Sequence, residues 1–96
     1  MASDSGSGQV PIGTSAAKVA DGVANAPCFV QVKAASGGGD IYVGYSSTVT
    51  TATGYLIPAG GSDSLPLDTG DAVYACSSAG TVTVYWLRSR NATRRT

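Results

Sequence analysis

The sequence has no histidine and no glutamate. Without an imidazole, the usual zinc sites and every His-dependent catalytic triad are excluded. All six acids are aspartates, and they balance six basic residues to a net charge of zero, so the body of the chain makes no electrostatic case for nucleic acid. Cysteine occurs only at positions 28 and 76. Two thiols are too few for a disulfide framework and have no metal-ligand spacing. They read as small buried hydrophobes, although a Cys28–Cys76 bond, or one between subunits, stays open for a particle that leaves the cell. One Phe, one Trp and one Met are little large apolar material for 96 residues. The core should be modest, and identical neighbours are expected to help hold it. No stretch nears the roughly 18 apolar residues that span a bilayer. The opening "MASDSGSGQV" lacks the apolar region of a signal peptide, so an intracellular product with no membrane partner is expected.

What the chain has in abundance is punctuation. Thirteen glycines and many Ser and Thr interrupt it every few residues, which favours short strands over helices. "CFVQVKA" alternates with period two, Cys28, Val30, Val32 and Ala34 facing one way and Phe29, Gln31 and Lys33 the other. "DIYVGY" sets Ile41, Val43 and Tyr45 on one face. "YLIP" is a short strand ending at Pro58, and "SLPL" carries Pro66 as an edge marker. "AVYAC" and "TVTVYWLR" follow. The last is favourable on both faces and suits either a central position in a sheet or a second face set against a partner. From Gln9 to Ala26 the pattern is weak and holds one or two strands broken at Pro11 and Gly13. The expected fold is all-β, a small antiparallel β-sandwich or jelly-roll-like barrel with flexible termini. Residues 1–8 read as a flexible N-terminal arm, 9–88 as the β-sandwich domain and 89–96 as a basic tail holding three of the chain's arginines. The expected core is Val30, Val32, Val43, Leu56, Val73, Val82, Val84 and Trp86.

Asp68-Thr69-Gly70 is the triplet of an aspartic protease, and the chain has the length of one protease half. The context is wrong. Only 28 residues follow Asp68, too few for the flap and the bracing segment, and Asp71 is a second charge in the same glycine turn. The triplet therefore reads as a turn, with Asp68 bonding the backbone ahead and Gly70 at positive φ. Gly37-Gly38-Gly39 lacks the Lys and the helix of a phosphate loop. Asp63, Asp68 and Asp71 lack calcium-loop spacing. The five tyrosines with Trp86 suit a core or a subunit interface better than a base-stacking platform, because their strands carry few cations. No catalytic, cofactor or metal residue is assigned, nor a small-molecule substrate. The sequon Asn91-Ala92-Thr93 reads as chance.

The succession "FVQVKA", "DIYVGYSSTVTTATGYLIPAGGS", "LPLDTGDAVYA" and "SSAGTVTVYWL", from Pro27 to Leu87, resembles a small β-domain of tailed-bacteriophage structural proteins, most like a capsid decoration (cement) protein. Ala26-Pro27-Cys28 replaces the basic residue and serine common before the first of these strands, and the basic tail is particular to this chain. The resemblance implies a non-enzymatic virion component on the capsid surface, made in the host cytoplasm. It further implies a homotrimer, with the major capsid protein and its own copies as partners. A head–tail or tail-tip module and a carbohydrate-binding module using surface tyrosines are the alternatives. The interface expected on this basis is Ala2, Ser3, Gln9 and Val10 of an arm that adds to a sheet edge, with Tyr85, Leu87, Arg88 and Arg90 near the C-terminus.

Overall fold

The computed structural model describes residues 6–22, 28–68 and 70–90. Eight strands follow one another: β1 (Gly6–Ile12), β2 (Ala17–Asp21), β3 (Cys28–Ala34), β4 (Ile41–Gly44), β5 (Tyr55–Ile57), β6 (Ser62–Leu67), β7 (Ala72–Ser77) and β8 (Val82–Arg90). They form two four-stranded sheets, β1-β8-β3-β6 (sheet A) and β2-β7-β4-β5 (sheet B), in which every neighbouring pair is antiparallel. The first strand pairs with the last, the second with the seventh, the third with the sixth and the fourth with the fifth. The chain is one long hairpin whose successive rungs fall alternately into the two sheets. That is the jelly-roll order, an open sandwich and not a closed barrel.

Alternation fixes what faces inward. β3 reads buried, exposed, buried along its whole length, and β8 buries Val82 and Val84 with Trp86 half-buried beside them. Ile12, Val30, Val32, Ile41, Ile57, Leu67 and Val73 complete the fully enclosed layer. No aromatic ring belongs to the buried core among the described residues. The expected core holds at six of its eight positions, Val30, Val32, Val43, Val73, Val82 and Val84. It fails at Leu56, which is 46% exposed while Ile57 is 1% exposed. In β5 the inward position is fixed by Ile57 lying opposite Ile41, and three residues are too few for alternation to show which way the strand faces. Tyr45 is likewise exposed, because β4 has ended at Gly44.

The weak stretch holds two strands, separated by residues 13–16. β2 carries a register shift between Lys18 and Ala20, so Val19 and Ala20 are both buried. A bulge of this kind breaks period two and hides the strand from a pattern search. Pro11 lies within β1 and Pro66 within β6, the two edges of sheet A, where a missing N–H interrupts no ladder. β1 begins at Gly6, so Gly6, Ser7 and Gly8 of the expected arm are paired in the sheet, and β8 runs on through Ser89 and Arg90 of the expected tail. The remainder of both segments lies outside the described residues. Gly6 and Gly8 face Trp86: a Cβ at Gly8 would lie 3.0 Å from its Nε1. The indole covers backbone that no side chain of β1 fills, an aromatic rescue of edge glycines.

Side chains fasten the two sheets at one end. The Arg88 guanidinium donates to the Asp21 carbonyl at 2.7 Å and lies 5.7 Å over the Trp86 ring. The Tyr45 hydroxyl donates to the Pro66 carbonyl at 2.9 Å.

The corrected facing of β5 has a direct consequence. Ile57→Ala should destabilise by about 2–5 kcal/mol, and Leu56→Ala by about 1 kcal/mol or less. Denaturant unfolding of both variants checks this, and the reverse ranking would show that Leu56 is the inward residue.

Candidate interaction surface

The Asp68–Asp71 turn shows what the protease triplet does here. Gly70 has φ of +86°, as a glycine turn requires. The Asp71 amide donates to the Asp68 carbonyl at 3.0 Å, and the Asp68 amide donates to the Asp71 carboxylate at 3.1 Å. The carboxylate bracing the turn is thus that of Asp71, reaching back, and not that of Asp68 reaching ahead. Asp68 is exposed, unlike the shielded, proton-sharing pair of an aspartic protease. Thr69 lies outside the described residues. Among the described residues no three His, Cys, Asp or Glu come together as a metal site.

The thiols are unbonded and lie in different sheets, Cys28 in β3 and Cys76 in β7. Each is 1% exposed. Cys28 is part of the core. Cys76 falls between the inward positions Ala75 and Ser77, on the outer side of sheet B, and burial pushes its thiol above the ordinary value of 9.0. A protonated, covered thiol is a poor nucleophile.

Six large apolar side chains are exposed among the described residues; Tyr45, Tyr55 and Leu56 lie on or beside sheet B, and the other three share the outer face of sheet A. The register sets its residues in rows across the strands. Pro66, Phe29 and Ser89 form one row; Ser64, Gln31, Leu87 and Ser7 the next; Ser62, Lys33, Tyr85 and Gln9 the third. Phe29 is 39%, Tyr85 41% and Leu87 54% exposed. Lys33 is the one charged side chain of these rows, and none is acidic. Beside Lys33 and Tyr85 an open groove of about 380 Å³ is completed by Ala35 and Ser36.

Of the interface residues expected from sequence, Gln9, Tyr85 and Leu87 share this face. Val10 points inward and packs against the core. Arg88 is occupied between Asp21 and Trp86, and the backbone of Arg90 closes β8 opposite Cys28. Ala2 and Ser3, like Asn91–Thr93, lie outside the described residues. The sequence reading missed Phe29, Gln31 and Lys33. Their alternation was visible, but the pairing of β3 with β8 that joins them to Tyr85 and Leu87 is a long-range fact with no local signal.

No family model and no curated protein matches the chain. Among solved structures it is similar to a chain of the Bacillus endospore appendages, a novel family of disulfide-linked pili, with TM-score 0.60 and 20% identity over 91% of this chain and 85% of that one. At that identity the likeness carries the fold. It also corrects the role taken from segment order: the protein matched over this coverage is an appendage protein and not a capsid decoration protein. The order of strands and turns is set by the fold, and a fold does not specify a role.

Two outcomes are expected from this geometry. Asp71→Ala should cost about 1 kcal/mol, as a lost turn hydrogen bond does, and Asp68→Ala less; equal unfolding free energies for the two would refute the reversed brace. Stability should also fall as pH rises above about 9. Unfolded Cys76 ionises from 9.0 and folded Cys76 only higher, so across that window the unfolded chain holds fewer protons and is favoured. Tyr45 and Tyr55, raised from 10.0, add to the loss at higher pH. Unfolding across pH 8–10 should show a shallower decline in Cys76→Ala; identical slopes would count against a covered thiol.

Proposed function

We propose that this chain is a non-enzymatic structural subunit that assembles with copies of itself through non-covalent contacts. The observation that carries this is the outer face of sheet A. The core closes without any aromatic residue, and Phe29, Tyr85 and Leu87 stand exposed on a face with one cation and no anion. Exposed apolar groups clustered on one face mark an interaction surface, and a chain of zero net charge has no long-range repulsion against its own kind. The likeness in fold to an appendage-forming protein supports the same reading. That protein is described as disulfide-linked, whereas the two thiols here are covered, and burial holds that of Cys76 protonated. The contacts between these subunits accordingly need no covalent bond. A trimer, expected from sequence, is one size of assembly that the measurement below would resolve.

The test is light scattering and negative-stain electron microscopy of the full chain over a concentration series, with and without dithiothreitol. Concentration-dependent assemblies that persist in the reductant are expected. A monomer at every concentration refutes self-assembly, and assemblies that dissolve on reduction refute the non-covalent part.

A further inference from the structure

We infer that the outer face of sheet A pairs with the same face of a second copy, about a two-fold axis that crosses the strands over Gln31 and Leu87. This rests on the self-assembly reading and names its surface. The argument begins with where the charge lies. Lys33 and Phe29 are four residues apart on β3 and point to the same side, so about 13 Å separates them along the strand. Gln31 is midway, and Leu87 is its register partner on β8. A two-fold across the strands at that row reverses strand direction while leaving β3 over β3 and β8 over β8. Lys33 of each copy then sits over Phe29 of the other, and Tyr85 over Ser89. A cation above an aromatic ring is attractive.

The like charges are kept apart by the same operation. The two lysines are offset by about 13 Å along the strands and about 10 Å across the gap between sheets, well beyond a Debye length of about 8 Å. On the axis Leu87 meets Leu87, burying the most exposed apolar side chain of the face, and Gln31 meets Gln31, each amide having both donors and an acceptor for the other. An acidic partner would find one cation, and a basic partner would find no anion. A second copy is the occupant whose charges match.

Area sets the strength. Four strands about 4.8 Å apart and about seven residues long present a face near 450 Å², so a pair buries about 900 Å². That is below the roughly 1,200–2,000 Å² of a stable interface. The pairing is therefore weak alone, and because a two-fold contact closes on itself it makes a dimer unless a second surface also binds.

The geometry makes opposite predictions for two substitutions at one exposed position. Phe29→Glu places a carboxylate over the partner's Lys33, so association by sedimentation equilibrium should be kept or tightened at low salt and lose that gain at high salt. Phe29→Lys places two cations together and should weaken association by about tenfold or more. Leu87→Glu, which sets two carboxylates against each other on the axis, should abolish it. Thermal unfolding of each variant confirms that the exposed changes leave the fold intact. Equal weakening by Phe29→Glu and Phe29→Lys overturns the two-fold pairing, as does a Leu87→Glu chain that associates as well as the wild type. In both cases self-assembly stands. A wild-type chain that stays monomeric at millimolar concentration overturns both.

Discussion

Two sheets facing each other at about 10 Å leave room for one interdigitated layer of side chains. Here that layer is valine, isoleucine and alanine with one leucine and one cysteine, and much else in the molecule follows from it. Small branched residues let the sheets close along their length without a ring to prop them apart, and β-branched side chains prefer the extended backbone in any case. The aromatic residues are then displaced to the periphery. Trp86 covers the glycines of β1, Tyr45 ties the sheets at one end, and Phe29 and Tyr85 stand on the outer face. A composition that looks poor in core material thus yields a complete core and a surplus of apolar groups outside it.

How legible this was depended on strand length and on where the decisive contact lay. β3 and β8 were readable because seven and nine residues allow period two to repeat, and the two-sided character of "TVTVYWLR" correctly implied a strand with neighbours on both edges. β5 was found but faced the wrong way, since Tyr55, Leu56 and Ile57 would each suit an inward position and only the contact with β4 decides. β2 was blurred by its bulge. Gly6–Gly8 read as an arm because their composition is that of a linker, and what pairs them into the sheet is β8, about eighty residues away in sequence, whose Trp86 indole lies against the two glycines.

The candidate surface was half legible. Tyr85 and Leu87 fell within the expected interface at the C-terminal end of β8, a strand with apolar residues on both sides. Phe29, Gln31 and Lys33 were equally visible as the polar side of β3, but nothing local ties them to β8. The aspartate triplet taught the reverse lesson. Its residues were plain to read, yet the side chain that braces the turn is Asp71, because a carboxylate at the end of a turn can reach back as easily as one at its start can reach ahead.

The pairing of the first strand with the last also bears on how the molecule is made. Gly6 lies opposite Arg88, so the outermost rung of the hairpin unites segments from opposite extremes of the chain, and sheet A lacks an edge strand until both have been synthesised. Such non-local closure slows folding relative to chains built from neighbouring contacts. It also brings the beginning of β1 and the end of β8 within the width of one strand pair. A short peptide could join those two points, and the chain could be reopened in the Gly37–Gly39 loop at the far end, giving a permuted sequence with the same eight strands in the same two sheets. In that order β1 would follow β8 as an ordinary hairpin, and a contact that now spans the chain would become a local one.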